Sequence, residues 1–138
     1  MAWTKNTVQR GNASYIVATE TLTVATSDVA GEDLTSSVIN WIPPNQDFVV
    51  ISNTGATDLS SDADVAVHVC ATSGGTYVLL KDDLETTIDA AVKSSVYDVS
   101  ANGEAPFYKI VIDSDGVQKK TDTVGLAVIC PAVRSIIL

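Results

Sequence analysis

His68 is the only histidine in the chain, so a catalytic triad, a Cys–His pair or a histidine metal site would have to use it. The alternation from Val65 to Cys70 predicts a β-strand that places His68 and Cys70 on one face. No third group orients the pair, and a flat strand face makes a poor active site. We therefore favour a structural or surface histidine, and we expect the two cysteines, Cys70 and Cys130, to be buried free thiols.

Two acidic stretches offer the oxygen ligands that calcium prefers: Asp58, Asp62 and Asp64 in the first, and Asp113 and Asp115 in the second. Neither has the spacing of an EF-hand, because Gly116 comes too early and no glutamate closes the loop. Asp and Asn in such places usually shape turns through bonds to the backbone. We favour that interpretation and predict no metal site.

A third acidic group could be taken for a general acid–base pair: Asp82, Asp83, Glu85 and Asp89. Such chemistry needs an apolar pocket that raises the pKa of one carboxyl, and this segment is polar. A solvated face is the better interpretation. Since no glycine-rich phosphate loop is present either, we predict no cofactor and no enzymatic activity.

The aromatic side chains offer an alternative function, namely stacking against sugar rings: Trp41, Tyr77, Tyr97 and Tyr108. In a β-sandwich, aromatic residues more often fill the core. A second group of apolar residues suggests contact with a partner chain: Trp3, Trp41, Ile136, Ile137 and Leu138. If they were exposed, three consecutive apolar residues at 136–138 would favour aggregation, so they fold back or enter a partner's groove.

Composition and charge narrow the function further. The 138 residues are 46% hydrophobic and rich in Val, Thr and Ser, which favours a packed all-β domain. The net charge of −9 argues against binding to nucleic acid or to an anionic membrane. The N-terminus lacks the apolar core of a signal peptide.

Strand and turn patterns predict a single antiparallel β-sandwich, of the jelly-roll or Ig-like type. We place an extended arm at residues 1–14 and the domain at 15–138. The clearest stretch is Ala63–Asp82, predicted to be a hairpin with a tight turn at residues 73–75. The other predicted strands are residues 15–25, 37–42, 47–53, 95–99, 107–113 and 123–130, with a short helical turn near 84–93 as a further option.

Two segments resemble the virion structural proteins of tailed phages, in particular capsid decoration (cement) proteins. They are GGTYVLLKDD (Gly74–Asp83) and NGEAPFYKIVIDSDG (Asn102–Gly116). The resemblance implies a protein of the virion that binds the major capsid protein or other virion subunits, often as a dimer or trimer, and reinforces the particle. We expect such a structural role, and a carbohydrate- or receptor-binding module of a virion is the alternative.

Overall fold

The computed structural model describes residues 3–24, 29–30, 34–42, 47–52, 59–80, 86–88, 95–99, 105–114, 117–118 and 122–131. Within these ranges the chain forms strands and no helix. The strands are β1 (Thr4–Arg10), β2 (Ala13–Thr23), β3 (Val29–Ala30), β4 (Leu34–Thr35), β5 (Phe48–Ser52), β6 (Ala63–Cys70), β7 (Val78–Leu79), β8 (Thr86–Ile88), β9 (Ser95–Val99), β10 (Phe107–Ser114), β11 (Val117–Gln118) and β12 (Thr123–Pro131).

The described strands form two antiparallel sheets that pack face to face, which confirms the predicted β-sandwich. The first sheet has the order β1-β2-β12-β5-β9. The second has the order β4-β10-β6-β7, with β8 also paired to β6, and β3 and β11 form a separate ribbon.

The core lies between the sheets and follows the predicted period of two residues. On β12, the alternate side chains from Val124 to Cys130 are fully buried, and on β10 the same holds for Ile110 and Ile112. Tyr108 is also buried, and its ring meets Phe48 edge-on at 5.4 Å between centroids. The inward faces predicted for these strands are therefore confirmed.

The N-terminal residues form a hairpin with the strand that follows them. Residues 4–10 of the predicted arm pair with β2 from Thr4 opposite Thr19 to Arg10 opposite Ala13, which leaves a two-residue turn. Gly11 in that turn has φ of +60°, a value that glycine adopts without steric cost. This part of the arm is thus the edge strand of the first sheet.

The hairpin predicted at Ala63–Asp82 is present but shorter than expected. β7 contributes only two residues, and the connection spans residues 71–77 instead of a tight turn. A Cβ at Gly75 would lie 2.6 Å from the Cys70 sulfur and from the Thr72 hydroxyl oxygen, so any other residue here needs those two side chains to rotate away. The longer partner of β6 is β10, which pairs with it along all eight residues.

Two further predictions were wrong in detail. The helical turn near 84–93 is contradicted at Thr86–Ile88, which forms β8, and the rest of that range lies outside the described residues. Consecutive β-branched side chains favour a strand over the helical spacing that suggested a turn. The strand expected at 37–42 is reduced to a single bridge at Ile39, and Leu34–Thr35 pairs with β10 instead.

A buried carboxylate joins the two sheets. Glu20 lies on the inward side of β2 with only 5% of its surface exposed. It accepts hydrogen bonds from the backbone N–H and the hydroxyl of Ser37, at 2.8 and 2.6 Å. The adjacent Ser36 forms two hydrogen bonds with Ile110 of the second sheet. Its backbone N–H donates to the Ile110 carbonyl oxygen, and its hydroxyl oxygen accepts from the Ile110 N–H. The first sheet is therefore tied to the second through two consecutive serines.

We expect Glu20→Ala to lower the free energy of unfolding by about 1–3 kcal/mol, because it removes the acceptor of two part-buried hydrogen bonds from Ser37. Urea denaturation measures the effect. Thr19→Ala, at the exposed neighbouring position, is the control and should change stability by about 0.5 kcal/mol or less. A Glu20→Ala protein as stable as the wild type would contradict the role of this carboxylate.

Candidate interaction surface

Trp3 packs back onto its own domain. Its indole N–H donates to the Ser37 carbonyl oxygen at 2.9 Å, and its ring lies against the core. It therefore covers the same serine that Glu20 binds. Its predicted part in a partner interface stays a prediction.

Trp41 is half-buried and also packs against the core. The Lys5 ammonium lies 5.9 Å from the centre of its ring. Its indole nitrogen is buried and has no hydrogen-bond partner in the structure. These contacts within the chain do not test the predicted contact of Trp41 with a partner chain. The other residues predicted for that interface, Ile136, Ile137 and Leu138, lie outside the described residues.

The other aromatic residues do not form one platform. Tyr108 is buried in the core, so its ring is not available to stack on a sugar. For Tyr97 only the backbone is described, as part of β9. Tyr77 is half-exposed: its hydroxyl donates to the Ser73 carbonyl at 2.8 Å, and the Lys109 ammonium lies 4.5 Å from its ring centre. Loss of water around the hydroxyl, and then the nearby Cys70 sulfur, raise the pKa of Tyr77.

His68 and Cys70 share the outer side of β6, as predicted, and both are half-buried. Lys109 and Leu79 lie opposite His68 on the neighbouring strands. The Cys70 sulfur has the Thr72 hydroxyl oxygen at 3.9 Å. These described neighbours do not make His68 a general base or Cys70 an activated nucleophile.

The acidic loops are partly described. Asp62, Asp64 and Asp113 are described, whereas Asp58 and Asp115 lie outside the described residues, as do the four acidic residues considered for acid–base chemistry, Asp82, Asp83, Glu85 and Asp89. Among the described side chains, no three His, Cys, Asp or Glu come close enough together to hold a metal ion.

Two open cavities flank the described sheets. One of about 390 Å³ lies between Glu20–Thr23 and Leu34–Ser37. Both carboxylate oxygens of Glu20 are already bonded to Ser37, so they are not presented to a ligand. The other, of about 400 Å³, is lined mainly by small and apolar side chains around Cys70, Val78 and Pro106.

The outer face of the first sheet is the surface that sequence reasoning missed. We define it as the outward residues of β2, β5 and β12. Val17, Ile129 and Val49 form one row across these three strands, and Ala127 and Ile51 lie in the next row. The larger side chains of these rows are half-buried: Val17, Ile129, Val49 and Ile51. None of them is among the half-buried side chains that pack against the core.

None of the outward residues of these three strands has a charge. They are Ala13, Tyr15, Val17, Thr19, Thr21, Thr23, Val49, Ile51, Thr123, Gly125, Ala127, Ile129 and Pro131. Charged residues in register with these outward positions appear only on the flanking strands of the first sheet, with Arg10 opposite Ala13 on β1 and Asp98 opposite Val49 on β9. The outer side of the second sheet contains Asp64, Lys109 and Asp113 on its two central strands. In a chain of net charge −9, an apolar face without charges is a candidate contact surface.

The sequence did contain an indication of this surface. Phe48–Ile51 is apolar at every position, a pattern that is typical of a strand buried between two layers. Phe48 and Val50 are indeed buried, whereas Val49 and Ile51 point to the outer side. Val49 and Ile51 are half-buried, so this side of the run is only partly covered, whereas the small side chain of Ala127 beside Ile51 is buried.

Comparisons with known proteins find similar solved structures but no family for the chain. No protein-family model matches the chain, and no curated protein does. Similar solved structures include a xylan-binding domain from family 22 of the carbohydrate-binding modules, with 11% identity, a TM-score of 0.43, and coverage of 99% of this chain and 89% of that one. The C-terminal family 22 module of Clostridium thermocellum Xyn10B gives the same identity and TM-score over 99% and 88%. Similarity at this level transfers no ligand or binding site.

The described residues contain no helix with the length and hydrophobicity needed to cross a membrane.

The two thiols should differ in reactivity. Both cysteines are free, as expected, but only Cys130 is fully buried, and Cys70 is half-exposed. Burial raises the pKa of the Cys130 thiol, which lowers its thiolate fraction at any given pH below that pKa.

We therefore expect a thiol reagent such as DTNB at pH 8 to label one cysteine rapidly in the native protein and two after denaturation. Cys70→Ser should abolish the rapid phase, while Cys130→Ser should leave it unchanged. Rapid labelling of both cysteines in the native wild type would contradict the burial of Cys130.

Proposed function

We propose that the protein is a non-enzymatic structural subunit that attaches to another protein through the outer face of its first sheet. The observation that supports this proposal is the uncharged apolar surface formed by Val17, Val49, Ile51 and Ile129. Such a surface gains free energy when it leaves water, at roughly 25 cal/mol per Å² of apolar area.

The absence of charge on this face matters as much as its hydrophobicity. A buried charge must be desolvated, and this cost often exceeds the attraction that it gains. The centres of protein interfaces are accordingly depleted in charged residues. A flat sheet face of three strands can meet another flat surface over a large area, and specific interfaces need on the order of 1,000 Å².

We further propose that the partner is a virion subunit, with the protein acting as a capsid decoration protein. The two segments that resemble such proteins include β7 and β10, and both strands belong to the second sheet. Attachment through the first sheet would turn these segments, with Lys109 and Asp113, toward solvent. The net charge of −9 suits a solvent-facing layer that does not bind DNA.

Val49→Lys tests this attachment surface. It places a charge in the apolar row that Val49 forms with Ile129 and Val17, so we expect binding to virus particles from the source that encodes this chain to weaken at least ten-fold. Co-sedimentation with the particles measures it. Val111→Lys is the matched control, because Val111 is half-buried on the outer side of the second sheet and should retain wild-type binding.

Both variants should unfold at nearly the same urea concentration as the wild type, since neither position is in the core. Three results would overturn the proposal: a wild-type protein that does not co-sediment, equal binding by Val49→Lys, or an equal loss in Val111→Lys.

A second candidate function is carbohydrate binding on the outer side of the second sheet. The observation that favours it is the half-exposed ring of Tyr77 beside the Lys109 ammonium, with His68 opposite Lys109. An aromatic ring next to hydrogen-bonding side chains can stack on a sugar and bind its hydroxyl groups. Lys109 already covers part of the ring, which leaves less of it for stacking than a free platform would offer.

A glycan array decides this alternative. If it holds, the wild type binds a defined glycan, Tyr77→Ala loses at least ten-fold in affinity, and Tyr77→Phe, which retains the ring, loses much less. Trp41→Ala examines the other aromatic candidate from the sequence. Carbohydrate binding is rejected if no glycan is bound or if both Ala variants bind like the wild type.

A further inference from the structure

β1 is an edge strand with an unusual degree of exposure. All seven of its residues are exposed, on both faces of the sheet, and Val8 retains 46% of its surface. Its described partner is β2 alone. An edge of this length presents a row of backbone N–H and C=O groups that can pair with another strand.

The geometry of the hairpin identifies which backbone groups are available. In an antiparallel pair, successive residues direct their N–H and C=O alternately toward the partner and away from it. The two-residue turn makes Arg10 and Ala13 the closing hydrogen-bonded pair. Counting back from Arg10, the residues that direct these groups to the open edge are Lys5, Thr7 and Gln9.

We propose that two copies of this chain pair through β1, antiparallel, about a two-fold axis at Thr7. In this register Thr7 lies opposite Thr7 of the second copy, and Lys5 lies opposite Gln9 of the second copy. All three outward-directed residues of each strand then form hydrogen bonds. Cross-strand Thr–Thr pairs are among those that stabilise antiparallel sheets.

The number of strands favours a second copy in this orientation. The first sheet has five strands, and each pairs antiparallel with its neighbour. Its two edge strands, β1 and β9, therefore run in the same direction. Head-to-tail stacking of copies would create a parallel pair, whereas a two-fold axis beside β1 continues the antiparallel pattern into a ten-stranded sheet.

The charges on β1 are compatible with this register. The strand contains Lys5 and Arg10 and no acidic residue. With the axis at Thr7, Lys5 meets Gln9 and Arg10 meets Thr4, so like charges are never directly opposed. An axis at Lys5 would instead place two lysines opposite each other, which is destabilising. Lys5 can also bend away from the edge, since its ammonium lies 5.9 Å from the centre of the Trp41 ring.

The size of the contact sets its strength. One pair of seven-residue strands buries less area than a stable dimer needs, so the affinity should be on the order of micromolar or weaker. A two-fold axis normal to the sheet keeps the outer faces of both first sheets on the same side. The pairing is thus compatible with attachment to a partner, but it rests on β1 and not on the proposed function.

Disulfide cross-linking tests the register. Thr7→Cys in a Cys70→Ser background should form a covalent dimer under mild oxidation, because residues of a hydrogen-bonded pair have Cα atoms about 5.5 Å apart. Asn6→Cys is the matched control. Its counterpart in the second copy lies diagonally, at roughly 7–8 Å, and should cross-link at least ten-fold less. Equal cross-linking of both, or none by Thr7→Cys, would overturn the register.

Sedimentation velocity across a concentration series tests the dimer without oxidation. We expect a monomer–dimer equilibrium for the wild type and at least ten-fold weaker association for Thr7→Lys, which opposes two new charges. Thr35→Lys, at an exposed position on β4 in the second sheet, is the control and should associate like the wild type. A wild type that remains monomeric at several hundred micromolar refutes the pairing. If it still co-sediments with particles, the proposed function survives that failure.

Discussion

The contact on which the sandwich most depends is the pair of hydrogen bonds that Glu20 accepts from Ser37. Apolar layers can slide across one another at little cost, because the hydrophobic effect has no direction. A buried carboxylate with two donors at 2.8 and 2.6 Å allows one alignment only. Ser36 transmits this alignment to Ile110, and the Trp3 indole closes over the same segment. One acidic side chain therefore links β2 of the first sheet, through Ser37 and Ser36, to β10 of the second.

Much of the fold could be predicted from the sequence because period-two alternation reports burial directly. The inward sets of β10 and β12 are correct to the residue. In the sequence Glu20 only interrupts the apolar side of β2, and no local pattern shows which donor a buried carboxylate will meet. Strand partners were equally hidden: proximity along the chain suggested β7 for β6, whereas backbone pairing selected the distant β10. Short strands such as β4 and β8 have too few residues to display a period.

The candidate surfaces were less predictable, because they depend on what lies beside a residue in space. Nothing near Tyr77 in the sequence indicates that the ammonium group of the distant Lys109 lies over its ring. The apolar run in β5 correctly indicated two apolar sides, but it could not indicate that one of them is only partly covered. The uncharged character of the outer face emerges only when three strands that are far apart in the chain are placed side by side. The net charge of the whole sequence does not show this difference in charge between the outer faces of the two sheets.

The pairing of β2 with β12 also determines when the protein can fold. These strands lie side by side in the middle of the first sheet, although one begins at Ala13 and the other ends at Pro131. During synthesis, β1 and β2 can form only an isolated hairpin, which is marginally stable in water. The first sheet has no centre until β12 leaves the ribosome. Its apolar strands β2 and β5 must therefore remain soluble until β12 has been synthesised.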